Sequence, residues 1–124
     1  MAQGTAYELA QNEELEIDYF LTILRKLGFP REAFTRDARG FSMGQKKKLL
    51  LAASMAKQAH IYLWDEPLNY IDLESREQIE TMLTDTCATM VFVEHDRHFV
   101  KEVATDAISW DEAGNICPID LTEI

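Results

Sequence analysis

The chain has 124 residues, 47% of them hydrophobic, with a net charge of −10. That is enough apolar material for one packed domain, and it excludes a disordered tail. The acidic balance excludes a domain-wide basic footprint for nucleic acid, and the longest apolar run, residues 49–56, falls far short of the roughly 20 needed to span a bilayer.

The N-terminus, MAQGTAYELAQNEELEIDYF, has neither a basic start nor an apolar core, so it does not read as a secretory signal. Its first dozen residues are polar and weakly patterned and read as a loose lead-in. From Glu14 to Leu27 the apolar residues Ile17, Phe20, Leu21, Leu24 and Leu27 recur at helical spacing, and Gly28 supplies a stop. A short helical turn follows Pro30, and residues 35–40 read as loop. Ser42, with Gln45 three residues on, opens a second helix running to about Lys57, which Leu49, Leu50, Ala53, Met55 and Ala56 make largely buried.

His60 to Trp64 reads as a strand, Leu73 to about Leu83 as an amphipathic helix carrying Ile79, Met82 and Leu83, and Thr89 to Val93 as a second apolar strand. Strand, helix, strand over residues 60–94 is a βαβ unit of an α/β fold, with parallel strands and a right-handed crossover. A short helix carries Phe99, Val100 and Val103. The end, AISWDEAGNICPI, reads as a β-hairpin turning at Gly114 and Asn115. There is no internal repeat and no low-complexity segment. Cys87 and Cys117 lie far apart and form no C-x-x-C pair, which points to a reducing, cytoplasmic setting without a metal centre or disulfide framework.

Charge gathers at the strand ends. The first strand delivers Asp65 and Glu66, the second Glu94, His95 and Asp96. Ligands of open α/β sheets bind beyond the carboxyl ends of the strands. There a carboxylate can support Mg²⁺, a second can polarise an attacking water, and a histidine can hydrogen-bond a phosphate oxygen. Pro67 turns the chain away before a helix can form. Asp-Glu-Pro alone reads equally well as an exposed turn, and His95 alone as a capped core histidine; together the two clusters point to a phosphate and metal site. Lys46, Lys47 and Lys48 in the first turns of the Ser42 helix oppose its dipole unless an anion is near, although a solvated charge run accounts for them too.

In this order and spacing the pieces resemble the ATP-binding cassette family. FSMGQ (41–45) is similar to the signature motif LSGGQ, IYLWDE (61–66) to Walker B with the catalytic glutamate, LNYID (68–72) to the D-loop, and His95 in VEHD to the switch histidine. The resemblance covers about residue 14 to the C-terminus. GQKKKLLLA and WDEPLNYID resemble most the ABC-F branch, soluble tandem-cassette proteins that act on ribosomes, in particular the antibiotic-resistance, ribosome-protecting members. The resemblance implies a partial P-loop NTPase fold, with a lead-in and helical signature subdomain over residues 1–58 and the Walker B half of the core over residues 59–124. It also implies ATP and Mg²⁺ as cofactors and a second cassette and the ribosome as partners, without membrane insertion. Residue by residue, it implies that Asp65 supports the metal, Glu66 is the general base, His95 senses the γ-phosphate and Asp72 packs across the cassette interface. Ser42, Gly44 and Gln45 would meet a nucleotide held mainly by the opposite cassette.

Two features depart from the pattern. Met43 stands where the signature has a glycine. No G-x-x-x-x-G-K-[ST] loop begins at Gly4, Gly28, Gly40, Gly44 or Gly114, and no Gly-Lys pair occurs. The expectation is therefore a C-terminal portion of a cassette, inactive by itself, with an unprotected sheet edge that invites self-association. A transporter's ATP-binding subunit and a non-catalytic interaction module are the alternatives. The 124-residue chain is expected to bind Mg-ATP weakly or not at all, because Walker A supplies the amides and lysine that hold the phosphates; calorimetric titration checks this, and a clear micromolar isotherm from monomeric protein would contradict it.

Overall fold

The structure, a computed structural model, describes residues 4–86 and 88–124; Cys87 lies outside the described residues. In chain order it contains helices α1 (Ala6–Asn12), α2 (Ile17–Lys26) and α3 (Met43–Ala56), strand β1 (Tyr62–Asp65), helix α4 (Leu73–Thr86), strand β2 (Met90–Val93), helix α5 (Arg97–Val103) and strands β3 (Ala107–Trp110) and β4 (Ile116–Ile119). Short 3₁₀ turns occupy residues 31–35, 38–40 and 121–123.

The first departure from expectation is α1, which replaces the loose lead-in. Thr5 caps it, accepting from the Glu8 N–H, and Ala6 and Ala10 are buried against the rest. Two alanines give almost no apolar periodicity, which is why the pattern is faint in the sequence. Both α1 and α2 end in the same device. Glu14 (φ 56°) and Gly28 (φ 91°) take left-handed backbone. The N–H groups of Leu15 and Phe29 then reach back to the carbonyls of Ala10 and Leu24. Glu14 thus ends α1, and α2 begins only at Ile17, capped by Glu16, whose carboxylate accepts from the Asp18 and Tyr19 N–H groups.

Helix α3 begins and ends where its caps predict. Ser42 and Gln45 form the capping box, with the Gln45 N–H donating to Ser42 Oγ at 3.1 Å and the Ser42 N–H to Gln45 Oε1 at 3.0 Å. Its buried residues are Leu49, Leu51, Ala52 and Ala56. Leu50, expected inside, is 51% exposed. In a run of three leucines followed by two alanines the apolar face has no sharp edge, and packing against α2 selects it.

Strands β1 and β2 pair in parallel, with Tyr62 opposite Met90 and Trp64 opposite Phe92, and α4 is the crossover. The expected βαβ unit is present, its strands starting one or two residues later than the apolar runs suggest. Trp64 is buried and its indole N–H donates to Ser54 Oγ on α3 at 2.8 Å, while Phe92 meets Phe99 of α5 edge-on at 5.2 Å. At the other end of α4, the buried Ser75 hydroxyl donates to the Leu27 carbonyl at 3.3 Å. One core therefore runs from Ala6 to Phe99. The opposite sheet face carries Leu63, Val91 and Val93, all exposed, and among the described residues neither strand has a second neighbour. β3 and β4 form the expected antiparallel hairpin, with Gly114 at φ 85° in its turn.

The assignment of the α3 face is tested by two neighbouring truncations. Leu49→Ala should destabilise the fold by about 2–5 kcal/mol, whereas Leu50→Ala should cost less than about 1 kcal/mol. Urea unfolding distinguishes them, and equal costs would place the helix on the wrong face.

Candidate functional site

The parallel ladder carries its register one bond past the strands. The Glu66 N–H donates to the Val93 carbonyl at 2.8 Å, which draws the two strand ends together. Glu66 itself has φ 47°, a left-handed backbone that costs a non-glycine residue on the order of 1–3 kcal/mol. That reversal, followed by the buried Pro67, swings the Glu66 side chain across the end of the sheet instead of along the strand. Its Oε1 lies 3.4 Å from His95 Nε2, and its Oε2 accepts from the Asn69 side-chain amide at 3.1 Å. Asp65 is exposed beside it, its side chain with no hydrogen bond or ion pair among the described residues. The His95 side chain is 82% exposed. The strand-end residues thus stand on an open surface, whereas the cleft of about 950 Å³ lined by Tyr62, Trp64 and Met90 opens at the amino end of the strands.

The N-terminus of α3 joins this edge through the loop after Glu66. A side chain at Gly44 would place its Cβ 2.8 Å from the Tyr70 carbonyl oxygen, so the helix and the loop meet where only glycine fits. Met43 is 60% exposed. The departure from a glycine pair at 43 and 44 is therefore accommodated: the side chain at 43 faces outward, and the close approach is made at 44. The N–H groups of Met43 and Gly44, first in the helix, have no acceptor in its ladder.

Four residues along, Lys48 Nζ contacts Asp72 Oδ1 at 2.7 Å, with the lysine side chain only 16% exposed. Asp72 Oδ2 accepts from the Ser75 N–H and so caps α4. The Lys48 ammonium, and secondarily the Ser75 N–H, hold the Asp72 carboxyl at about 2, below the usual 3.8. Lys48 is thus not one of a uniform solvated run. Both oxygens of Asp72 are engaged within the chain.

The sequence-derived residues therefore form two groups on one edge. Asp65, Glu66 and His95 stand at the carboxyl ends of β1 and β2; Ser42, Gly44 and Gln45 open α3; Asp72 ties the second group to the loop that leaves the first. The supporting contacts come from Lys48, Arg76 and Glu94, to which sequence reasoning assigns no individual role. Arg76 donates to the Ile71 carbonyl at 3.0 Å and pairs with Asp96 at 2.8 Å, and the Glu94 carboxylate accepts from the Leu68 and His95 N–H groups. Their signal is faint: an arginine one turn into a helix and a carboxylate among others.

Paired carboxylates and a histidine thus gather at the carboxyl ends of parallel strands, beside a capped helix N-terminus, the end of an open α/β sheet where ligands bind. The chain belongs to the ABC transporter family, whose model matches residues 2–69. It is 32% identical over 107 residues to the ribosome protection protein VmlR of Bacillus subtilis strain 168, covering 86% of this chain and 20% of that protein. It is 31% identical over 108 residues to the ATP-binding protein Uup-like of Haemophilus influenzae, covering 84% and 24%. ABC transporter F family member 2 of Arabidopsis thaliana is 29% identical over 98 residues, covering 79% and 14%. Among solved structures, the archaeal ribosome recycling factor aABCE1, in complex with the ribosomal stalk protein aP1, superposes with a TM-score of 0.74 at 25% identity, over 98% of this chain and 26% of that one. A dimeric bacterial ABC transporter cassette shares the fold at a TM-score of 0.57 and 19% identity, over 70% and 39%. The resemblance to the cassette family and its F branch is borne out, and the chain spans about a quarter or less of the length of these curated relatives.

The Lys48–Asp72 pair sets a pH dependence. Asp72 titrates lower in the folded chain than in the unfolded one, so its contribution is fully present above about pH 4 and is lost as pH falls toward 2. Asp72→Asn keeps a good helix cap but removes the charge. With Asp72 about half exposed, it should cost under about 1 kcal/mol at neutral pH. Urea unfolding at several pH values should show the two proteins converging as pH drops from 4 to 2; a constant gap would mean that the pair does not set the dependence.

Proposed function

We propose that this chain is the signature and Walker B portion of an F-branch cassette that hydrolyses ATP in the cytoplasm and acts on the ribosome, in the manner of an antibiotic-protection factor. The observation that carries the reading is the 3.4 Å approach of His95 to Glu66 at the carboxyl ends of a parallel strand pair. Glu66 is the general base: an oriented carboxylate that takes a proton from a water attacking the γ-phosphate. His95 hydrogen-bonds a γ-phosphate oxygen and, through Glu66, reports its presence to the loop that follows. Asp65, exposed and uncommitted, suits Mg²⁺, which keeps waters and phosphate oxygens as most of its ligands. Consistent with that, the described residues hold no group of three acidic, histidine or cysteine side chains able to cage a metal alone. When bound, Mg²⁺ neutralises phosphate charge. At the other end of the edge, Ser42 and Gln45 hold the first turn of α3 in shape while the free N–H groups of Met43 and Gly44 face a phosphate from a nucleotide seated on a second cassette. Asp72 fixes that turn against the loop leading from Glu66, at the surface where the second cassette packs.

The ribosome enters through relatives that include a ribosome protection protein and a ribosome recycling factor. Membrane insertion is not part of the reading: no helix among the described residues is long and apolar enough to cross a bilayer. The bare face and open edges of the β1–β2 pair support packing against further protein, either more of a cassette or a second copy.

The test uses a cassette protein that carries this segment together with a phosphate-binding loop. Glu66→Gln keeps shape and reach but removes the proton acceptor. Turnover should fall about 10²–10⁴-fold while ATP affinity survives. Asp65→Asn should weaken both affinity and turnover. An unchanged rate for Glu66→Gln would mean that the base lies elsewhere.

A further inference from the structure

Glu94 directly follows β2 and takes no part in the chemistry above, yet its carboxylate accepts three backbone N–H groups. Oε1 accepts from the Leu68 N–H at 3.2 Å, and Oε2 from the His95 N–H at 2.7 Å and the Asp96 N–H at 3.3 Å. Leu68 lies two residues beyond Glu66, in the loop after β1; His95 and Asp96 lie in the loop after β2. One carboxylate therefore bridges the two loops that carry Glu66 and His95.

Arg76, in the first turns of α4, bridges the same two loops from the other side. Its Nε donates to the Ile71 carbonyl at 3.0 Å and its Nη2 to the Leu68 carbonyl at 3.5 Å, while Nη1 pairs with Asp96 Oδ2 at 2.8 Å. The other Asp96 oxygen caps α5 through the Phe99 N–H at 3.0 Å. Leu68, itself buried, is thus held by its N–H from Glu94 and by its C=O from Arg76. The Arg76 and Asp96 side chains are about a third exposed or less, so these charge-assisted bonds are only partly screened.

We propose that Glu94 and Arg76 form a two-charge clamp that locks the loop after β1 to the loop after β2 and so fixes the separation of Glu66 and His95. Both are positioning residues for the reaction proposed above, and the inference rests on that reading only for its consequence in catalysis. The residue types are specific to the task. A carboxylate can accept several N–H donors at once; the amide of glutamine keeps one acceptor and turns a donor toward the N–H groups. The planar guanidinium serves two carbonyls and a carboxylate in fixed directions, which a lysine ammonium on a flexible stem does not reproduce. Beyond the backbone bond from Glu66 to the Val93 carbonyl, the two side chains have little else to hold them among the described residues: the His95 ring is largely exposed, and apart from His95 itself the one side chain on Glu66 is Asn69.

The clamp is tested in the 124-residue chain without nucleotide, by amide hydrogen exchange and by the nuclear Overhauser effect between the Glu66 side chain and the His95 ring. Glu94→Gln and Arg76→Lys should each speed exchange at the Leu68 and His95 amides by about tenfold or more and abolish the Glu66–His95 contact, with protection in α2 and α3 unchanged. Persistence of the contact and of slow exchange in both variants would overturn the proposal. Loss of protection throughout the chain in both would overturn it too, in favour of a fold-wide role. In the cassette protein the same variants should lower kcat about tenfold or more with KM for ATP little changed. If Glu66→Gln proves silent while the exchange results hold, the catalytic reading fails and the clamp stands.

Discussion

The parallel pairing of β1 with β2 is the constraint from which the rest follows. In a parallel pair the side chains of each strand alternate in step, so one register decides both faces and both ends. With Trp64 opposite Phe92, the inner face meets Ser54 of α3 and Phe99 of α5 and closes the core. The same register sets Asp65 opposite Val93 and lets the Glu66 N–H take the Val93 carbonyl. A slip of one residue would put Trp64 and Phe92 on opposite faces of the pair and shift Glu66 away from His95. Core and site are specified by one set of hydrogen bonds.

What can be read from the sequence divides along physical lines. Elements with strong local signals are legible: the capping box at Ser42, the glycine stop at Gly28, the hairpin turn at Gly114 and the two apolar strands. So are Asp65, Glu66 and His95 as candidate site residues, because charged clusters after two successive apolar strands must meet at one end of a parallel sheet. Helix α1 is not legible, since its buried face is two alanines and its terminator is Glu14 where a glycine is usual. The buried face of α3 is blurred by consecutive leucines, and long-range packing settles it. The roles of Lys48, Arg76 and Glu94 stay hidden because each includes a contact to a residue 20 or more positions away, Asp72, Asp96 and Leu68 respectively, which no periodicity encodes.

The position after Ser42 shows the same division. Judged by its motif alone, Met43 is the anomaly, since it replaces a glycine. Geometry shifts the weight one residue on: Met43 faces solvent, whereas the carbonyl of Tyr70, itself at φ 68°, leaves no room for a Cβ at Gly44. Two left-handed residues, Glu66 and Tyr70, bracket the loop, and between them Pro67 and Leu68 are buried. The loop is anchored at its middle and turned sharply at both ends, so its shape is held by packing as much as by hydrogen bonds.

Exposure separates the candidate site groups from the residues that hold them. His95 and Asp65 are exposed, and Glu66 is partly so, while Leu68 and Ser75 are buried and Glu94, Arg76 and Lys48 are half-buried. A phosphate brought to this edge would meet groups already oriented, with little side-chain entropy left to lose at Glu66 and in the first turn of α3. The chain's charge of −10 opposes that approach at long range. Lys48 is committed to Asp72, so among the triplet at the start of α3 it is Lys46 and Lys47 that remain to offset the local field. Helix amides and two lysines are a short-range attraction set within a long-range repulsion. On the function proposed above, such a surface would suit an anion held in place by a second protein face better than one captured from solution.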